Sequence, residues 1–236
     1  MTRAQTTQSA PSLEKVAVFA GLSAETLARI QKRCRWRNYE PGEPIVDHLD
    51  TSNDVFFITA GEARVSIYSV DGKAITFTDL GPGDMFGEYA AIDEKRRSAT
   101  IEARKLCHVA SMPAVVFREL LHQEPAVMHA LLRQFVAKIR TLTTRVYEFS
   151  ALAVGNRIQS ELLRLAKLAP QDGKSARIGA APTHSEIASR ISTHREAVTR
   201  ELNRLSRLGI IERRGGALLV KDINRLAAMV HEVTGE

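Results

Sequence analysis

The sequence predicts an α+β protein made of an N-terminal antiparallel β-roll of the jelly-roll type, a long helix and a C-terminal winged helix-turn-helix. Three patterns predict this order: β-rich runs between turn residues from Trp36 to Met112, an apolar helical seam that starts at Met128, and a capping box at Thr183. We expect three parts of the chain, at residues 1–122 for the roll with its preceding helices, 123–154 for the long helix, and 155–236 for the C-terminal domain.

The segment before the roll carries signals of short helices. Ser23 is followed by Glu25, so that a capping side chain and an acid in the first turn occur together. Residues 1–11 are polar and lack the apolar stretch of a secretory signal, and no apolar run in the chain is long enough to cross a bilayer. We therefore expect a cytoplasmic protein with no membrane contact.

The β-rich part alternates apolar runs with turn residues. The clearest strands are Val55–Ile58, Ala63–Tyr68 and Ile75–Phe77. Turn residues separate them, as at Ala60-Gly61 and Asp71-Gly72. Even spacing of short strands is typical of an antiparallel sandwich or barrel, which is the basis of the predicted β-roll.

The long helix is predicted by apolar residues that recur in alternating steps of four and three, a spacing typical of a coiled coil. The residues of this seam are Met128, Leu132, Phe135, Ile139, Leu142, Val146, Phe149 and Ala153. The seam is longer than one small β-roll could cover, which favours a parallel homodimer over a helix packed on its own domain. Gly155 interrupts the seam as a candidate hinge, and an amphipathic helix follows at Arg157–Leu168.

The C-terminal part reads as helix, turn, helix and hairpin. Thr183 and Glu186 form a capping box at the start of a short helix, and a second helix is expected over His194–Leu208. The stripe of the second helix that should face inward consists of Val198, Leu202 and Leu205. A hairpin around Gly215-Gly216 supplies the wing. The segment Ala169–Ala181, rich in Pro, Gly and small residues, is expected to be a loop.

Positive charge is concentrated in the C-terminal part of the chain. The net charge is +6; residues 1–150 carry 19 Lys and Arg against 18 Asp and Glu, whereas residues 151–236 carry 14 against 9. This asymmetry fits a polyanionic partner, although a solvated basic surface would produce it as well.

Side chains on the second helix of the motif suit the reading of DNA bases. An Arg near the start of such a helix can donate two hydrogen bonds to guanine, and a Glu can accept one from cytosine. The alternative is a solvent-facing helix in which Glu196 and Arg200 form an ion pair. The candidate DNA contacts are Thr183, Arg195, Glu196, Thr199 and Arg200, together with Arg213 and Arg214 of the wing, which can meet phosphates.

A second candidate site lies in the roll, where Phe86–Ala91 is followed by Arg97–Thr100. A buried Arg, a hydroxyl and exposed backbone N–H groups can hold a phosphate, and a short helix after a glycine would direct its positive end at that phosphate. An ionised Glu accepts hydrogen bonds from ribose hydroxyls. The alternative is a buried Glu–Arg pair. The candidate ligand-binding residues of this segment are Gly87, Glu88, Tyr89, Ala90, Arg97, Ser98 and Ala99.

With these motifs the chain resembles the cyclic-AMP receptor protein and fumarate-nitrate regulator family of bacterial transcription factors. The resemblance runs over residues 13–226 and is carried by Phe86-Gly87-Glu88, Arg97-Ser98-Ala99 and the run Arg195–Arg200. It implies that Glu88 binds a ribose hydroxyl of a cyclic nucleotide and that Arg97 and Ser98 bind its phosphate. It also implies an allosteric homodimer that binds an inverted repeat in double-stranded DNA, with TGTGA-like half-sites, and has RNA polymerase as a partner.

The sequence departs from the family pattern at positions that bear on the ligand and on the turn. The two positions that meet the purine in the family fall on Leu142 and Thr143 here. The resemblance implies cyclic AMP as the first expected ligand, and the loss of a hydroxyl at Leu142 makes cyclic GMP the second. The glycine common in the helix-turn-helix turn is replaced by Ser192, where we expect backbone strain.

Two alternative functions follow from the same fold prediction. The first is a regulator that senses another small molecule. An iron-sulfur sensor needs a cysteine cluster, whereas the chain has only Cys34 and Cys107, and His48 and His108 are isolated candidates for a haem ligand. The second is a jelly-roll enzyme, which usually sets several His and a carboxylate around a metal. The sequence shows no such cluster, so we expect neither a metal nor an enzymatic activity.

Overall fold

The structure is a computed structural model that describes residues 12–68 and 74–234, and it divides into two compact units. Of the described residues, the N-terminal unit comprises residues 12–68 and 77–137. The C-terminal unit comprises residues 138–234 together with residues 74–76. The predicted turn at Asp71-Gly72 lies outside the described residues.

The N-terminal unit is a β-roll flanked by helices, as the sequence predicts. Its elements are α1 (Ala24–Gln31), β1 (Arg35–Tyr39), β2 (Pro44–Val46), β3 (Val55–Ala60), β4 (Ala63–Tyr68), β5 (Ala74–Leu80), β6 (Met85–Phe86), α2 (Glu88–Asp93), β7 (Thr100–Ala103), β8 (Cys107–Met112) and α3 (Ala114–Gln123). Two four-stranded sheets have the orders β1-β8-β3-β6 and β2-β7-β4-β5. The Ser23 side chain caps α1 by accepting a hydrogen bond from the Thr26 N–H at 3.1 Å.

Strand β3 explains why this part of the sequence reads as a continuous apolar run. Its side chains alternate between the two faces of the sheet, and both faces are covered. Val55 and Phe57 belong to the core shared with α1 and α3, whereas Phe56 and Ile58 belong to the core between the two sheets. The sheet therefore positions the loop before β3 and the paired strand β6, which together surround the candidate ligand site.

The long helix α4 (Pro125–Ala151) contains 27 residues and carries nearly the whole predicted seam. Met128 and Phe135 pack against the core of the N-terminal unit. Farther along, Ile139 and Val146 are 61% and 64% exposed, respectively, so the same seam is uncovered in a single chain. The first part of the apolar stripe therefore packs within the chain, and the rest of the stripe is exposed.

The C-terminal unit has its own sheet and core. Its elements are α5 (Val154–Leu168), β9 (Gln171–Asp172), β10 (Ser175–Ile178), α6 (His184–Arg190), α7 (Arg195–Arg207), β11 (Ile211–Arg214), β12 (Ala217–Val220) and α8 (Ile223–Thr234). The sheet has the order β11-β12-β10-β9. Val198, Leu202 and Leu205 are buried, which confirms the inward stripe of α7.

The sequence prediction was wrong in two places in this unit. The segment Ala169–Ala181 contains the strands β9 and β10 rather than a loop. Ala176 and Ile178 of β10 are buried, because β10 pairs with β12 of the wing and extends its sheet. The interruption of the seam expected at Gly155 lies at Leu152 and Ala153, between α4 and α5, and Gly155 itself lies in the first turn of α5.

Strain in the helix-turn-helix turn is confirmed. Ser192 adopts a left-handed backbone with φ of 49°, a conformation that glycine reaches without the steric cost of a side chain.

Candidate functional site

The candidate ligand site of the N-terminal unit begins at a tight backbone approach between β6 and α2. Gly87 has φ of 81° and separates the two elements. A Cβ atom at Gly87 would lie 2.7 Å from Nη1 of Arg97 and 2.8 Å from the carbonyl oxygen of Asp54. A glycine is therefore required here both for the left-handed backbone and for the approach of the guanidinium.

Arg97 is a buried cation whose hydrogen-bond acceptors are all neutral oxygens. Its Nε donates to Oγ of Ser52 at 3.1 Å, and its Nη1 and Nη2 donate to the carbonyl oxygens of Gly87 and Asp54, each at 2.9 Å. The residue is only 3% exposed. Burial lowers the pKa of Arg97, while the charges of Asp50, Asp54 and Glu88 act in the opposite direction.

This arrangement leaves part of the guanidinium available. A guanidinium has five N–H groups, and three of those of Arg97 are directed at Ser52, Gly87 and Asp54. The three bonds fix the orientation of the side chain, and one N–H group on each of Nη1 and Nη2 remains for an acceptor such as a phosphate. A buried cation whose hydrogen-bond acceptors are neutral is electrostatically suited to an anionic ligand.

Other predicted ligand residues surround Arg97. Glu88 is 3% exposed at the start of α2, and Ala90 is buried behind it. Ser98 is exposed directly after Arg97, and Ala99 is half-buried. The segment therefore combines a buried carboxylate, a buried guanidinium and an exposed residue with a hydroxyl group.

Tyr89 lies at the edge of this segment and reaches α4. Its ring is 44% exposed, and its centroid lies 5.9 Å from that of Phe135. Farther along α4, Leu142 is 51% exposed, and the Thr143 hydroxyl donates to the Ile139 carbonyl at 3.0 Å. Such a bond within the helix leaves the lone pairs of the Thr143 oxygen as acceptors.

The structure also adds site residues that the sequence analysis did not find. Ser52 and Asp54 hold Arg97 from 45 and 43 positions away in the chain. Asp54 acts through its main-chain oxygen, and Ser52 is one of many hydroxyl residues in loops. Of these three residues, only Arg97 could be identified from the sequence, because it lies in a recognisable motif.

In the C-terminal unit, α7 presents a polar face opposite its buried stripe. Arg195, Glu196 and Arg200 are exposed, with Arg195 and Glu196 in the first turn. The Thr199 hydroxyl donates to the Arg195 carbonyl at 3.0 Å and contacts Nδ1 of His184 at 2.7 Å. The face therefore offers two arginines and a carboxylate to a partner, with Thr199 tied to α6.

The cap of α6 and the wing border the polar face of α7. Thr183 and Glu186 form the predicted capping box: Oγ1 of Thr183 accepts from the Glu186 N–H at 3.2 Å, and the Thr183 N–H donates to the Glu186 carboxylate at 2.8 Å. Arg213 and Arg214 are exposed at the end of β11, and Nε of Arg214 lies 3.9 Å from Glu212. The wing thus adds two exposed guanidiniums.

Two family models match the chain. The model of the cyclic nucleotide-binding domain matches residues 36–124, and that of the Crp-like helix-turn-helix domain matches residues 156–229. Together they match more than half of the sequence and contain the segment around Arg97 and the candidate DNA contacts. The chain belongs to the cyclic-AMP receptor protein and fumarate-nitrate regulator family. As a member of this family, it has a cyclic nucleotide-binding domain followed by a DNA-binding helix-turn-helix, the architecture of a transcription regulator.

Similar proteins extend over most of the chain. A CRP-like cAMP-activated global transcriptional regulator from Mycobacterium tuberculosis is 24% identical over 216 residues, which cover 91% of this chain and 96% of that protein. The cAMP-activated global transcriptional regulator Vfr from Pseudomonas aeruginosa is 29% identical over 202 residues, which cover 82% and 92%. These family members are named as transcription regulators and not as enzymes.

A solved structure supports the fold. The c-di-GMP responsive global regulator CLP of Xanthomonas campestris superposes with a TM-score of 0.72 at 19% identity and covers 84% of this chain and 99% of its own.

Within residues 12–68 and 74–234, no helix combines the length and the apolar character needed to cross a bilayer. In the same residues, no group of three or more His, Cys, Asp and Glu side chains is placed to hold a metal ion.

Proposed function

We propose that this family member is a homodimeric transcription regulator whose DNA binding responds to cyclic AMP. The observation that carries the proposal is Arg97, a buried cation held by neutral oxygens with two N–H groups left for an anion. The cyclic phosphate would accept from these N–H groups and from the Ser98 hydroxyl. Glu88 would accept from the ribose 2′-hydroxyl.

Backbone N–H groups of the segment Gly87, Tyr89, Ala90 and Ala99 would complete the phosphate site. The purine is assigned to Leu142 and Thr143 of α4 from the family resemblance. Leu142 offers an apolar contact and no hydrogen bond, so Thr143 alone supplies a hydroxyl to the base. We therefore expect cyclic GMP to bind as well, with a preference below about tenfold, which is less than about 1.4 kcal/mol.

The second copy of the chain is proposed as the partner of the exposed seam on α4. Leu132, Ile139, Leu142 and Val146 are each more than half exposed in the single chain. A stripe of large apolar side chains with the spacing of a coiled coil is stable in water when another such stripe covers it. We propose that residues 123–154 form the dimer helix between a ligand domain at 1–122 and a DNA-binding domain at 155–236.

For DNA binding, we propose that α7 enters the major groove of one half-site of an inverted repeat. Arg195 and Arg200 would read guanines, and Glu196 would accept from a cytosine. Thr183, Thr199, Arg213 and Arg214 would contact the backbone or the edge of the groove. Cyclic nucleotide would favour one state of the dimer through its higher affinity for that state, and RNA polymerase would be the downstream partner.

Calorimetry of the full-length protein tests the proposed ligand. Cyclic AMP, cyclic GMP and cyclic di-GMP are titrated separately, because the similarity to CLP makes the dinucleotide the relevant competitor. Saturable binding of cyclic AMP, with cyclic GMP weaker by less than about tenfold, is the expected result. Binding of cyclic di-GMP alone would assign the chain to another ligand class, and binding of none of the three would contradict a nucleotide ligand.

A further inference from the structure

His184 is a half-buried residue of α6 that contacts Thr199 of α7 and that the proposed function does not yet use. We infer that His184 is a further DNA-contact residue, which donates to a backbone phosphate in its protonated form and thereby makes DNA affinity depend on protons. The inference rests on the proposed function of the helix-turn-helix. It is argued from the hydrogen bonds of His184 and from the charges around it.

The bonds of Thr199 assign the proton of the neutral imidazole. Nδ1 of His184 lies 2.7 Å from Oγ1 of Thr199, and that hydroxyl donates its single proton to the Arg195 carbonyl at 3.0 Å. The Thr199 oxygen is therefore the acceptor in its contact with His184. It follows that Nδ1 carries the proton of the neutral ring and that Nε2 presents a lone pair.

Protonation converts Nε2 of His184 from a hydrogen-bond acceptor to a donor without breaking the contact between Nδ1 and Thr199. A phosphate oxygen is an acceptor and cannot bond to the lone pair of a neutral Nε2. A proton on Nε2 supplies a donor and a positive charge, while the Nδ1–H bond to Thr199 is kept. The contact with phosphate can therefore be gained or lost without rearrangement of α6 or α7.

Burial and the neighbouring positive charges disfavour the protonated form of His184 in the free protein. Desolvation by burial lowers the pKa of His184 below its ordinary value of 6.5, and the positive charges of Arg213 on β11 and Arg195 on α7 lower it further. The charged side chains on its own helix, α6, have partners elsewhere. The Glu186 carboxylate accepts from the Thr183 N–H, and Arg190 lies 3.7 Å from Glu161 of α5.

A phosphate placed beside Arg195 and Arg213 would reverse this balance. Its negative charge offsets both guanidiniums and favours the imidazolium, so the pKa of His184 is higher in the DNA complex than in the free protein. DNA binding then takes up a proton. Affinity increases as the pH falls through the pKa of the complex and stops increasing below the pKa of the free protein. Above both values His184 is neutral and contributes no ionic contact.

The experiment measures DNA affinity from pH 5.5 to pH 8.5 at constant ionic strength. Full-length protein saturated with cyclic AMP is titrated into a fluorescent duplex that contains an inverted repeat of TGTGA, with anisotropy as the readout. For the unmodified protein we expect roughly fivefold to tenfold tighter binding at pH 6 than at pH 8, since one proton contributes at most about tenfold per pH unit. The salt dependence should also be about 0.9 steeper at pH 6, as for one additional phosphate contact.

His184→Gln is the test variant, because glutamine does not titrate. We expect its affinity at pH 8 to stay within about twofold of the unmodified protein and most of the gain at pH 6 to be lost. His231→Gln, an exposed histidine on α8, is the matched control and should retain the full gain. His194→Gln tests the other histidine beside α7; a loss of the gain in this variant alone would assign the proton to His194 and overturn the inference.

A second measurement does not depend on the variant. The pKa of His184 is followed by NMR through its ring Cε1–H in the free protein and in the complex, and a higher value with DNA is expected. An unchanged value, or full pH dependence in His184→Gln, would contradict the inference while leaving the proposed function intact. Failure of the unmodified protein to bind the duplex at every pH would contradict the proposed function itself.

Discussion

At the scale of single residues, the candidate ligand site depends on one cation and the oxygens that orient it. Arg97 is recognisable in the sequence by its motif, whereas Ser52 and Asp54 became part of the site only through the fold. The three neutral acceptors orient the guanidinium without neutralising it. The free energy cost of burying the Arg97 cation arises during folding and not during binding. The buried cation therefore favours the binding of an anion.

Replacing Arg97 with Gln should weaken cyclic AMP binding by about 100-fold, or about 2.7 kcal/mol, within the range for hydrogen bonds to charged groups. Glutamine can still donate to one of the oxygens that Arg97 holds, which limits damage to the loop. Arg96→Gln is the matched control, since Arg96 is exposed and only its Nη1 approaches the Leu49 carbonyl, at 3.4 Å. Calorimetry with a thermal scan of each variant separates binding from folding; unchanged affinity in folded Arg97→Gln would refute the phosphate assignment.

At the scale of elements, α4 shows how one helix serves two surfaces. Its first turns pack Met128 and Phe135 against the N-terminal core, and its later turns leave Ile139 and Val146 exposed. The chain itself covers the first part of the heptad stripe, and in our proposal a second copy of the chain covers the rest.

Replacing both Ile139 and Val146 with Asp should convert the proposed dimer to monomers, because two carboxylates from each chain would enter an apolar interface. Arg133→Asp combined with Arg140→Asp is the control, since both positions are exposed on α4 outside the seam. Light scattering with dilution gives the mass of each variant. A dimer that persists in the seam variant at low micromolar concentration would mean that the copies associate elsewhere.

A buried charge cluster connects three helices of the C-terminal unit. Glu161 of α5 is 1% exposed and is ion-paired with Arg164, with Arg145 of α4 at 3.7 Å and with Arg190 of α6 at 3.7 Å. Glu148 of α4 accepts from Arg164 at 2.9 Å. Burial lowers the pKa of Arg145, and the Glu161 charge opposes that shift. The negative charge of Glu161 thus offsets much of the positive charge of the three arginines.

Glu161→Gln should destabilise the C-terminal unit by about 3–5 kcal/mol, because removal of one partner leaves buried charge uncompensated. Glu212→Gln is the control in the same unit: its ion pair with Lys221 at 2.6 Å is solvent-exposed, and its loss should cost less than about 1 kcal/mol. Differential scanning calorimetry of the full-length protein compares the transitions. Equal shifts of the transition temperature in the two variants would show that the buried cluster stabilises the unit no more than the exposed ion pair does.

At the scale of the whole molecule, the chain combines a ligand-binding domain, a helix with a seam and a DNA-binding domain. The two family models agree with the sequence motifs on the order of the two binding domains. In our proposal, twofold symmetry follows from the seam, and it would place one copy of α7 on each half-site. The half-sites should then be about 10 base pairs apart, centre to centre.

Selection from random DNA in the presence of cyclic AMP should recover an inverted repeat with guanines in each half-site. Arg195→Ala should cost about 1–3 kcal/mol and relax the preference only at the base that Arg195 reads. Arg213→Ala is the comparison, because loss of a phosphate contact should weaken all sequences alike and reduce the salt slope by about one unit. Recovered sites without the repeat and the guanines would refute the assigned reading residues.

Much of this protein could be predicted from the sequence because the responsible interactions are local. The cap at Ser23, the capping box at Thr183 and the inward stripe of α7 each involve residues within one or a few turns, so spacing alone reveals them. The left-handed turn at Ser192 was likewise expected from its position in a motif. Gly87 and Arg97 were found because a short motif carries them.

The tertiary structure decided what depends on residues far apart in the chain. Strands β9 and β10 were missed because such short segments, of two and four residues, form strands through pairing with distant parts of the chain: β10 pairs with β12, and β9 pairs with β10. The acceptors of Arg97, the Glu161 cluster and the contact between His184 and Thr199 join separate elements. A side chain's burial and partners follow from where the chain packs, so sequence spacing indicates which residues carry chemistry, and packing determines which of them meet.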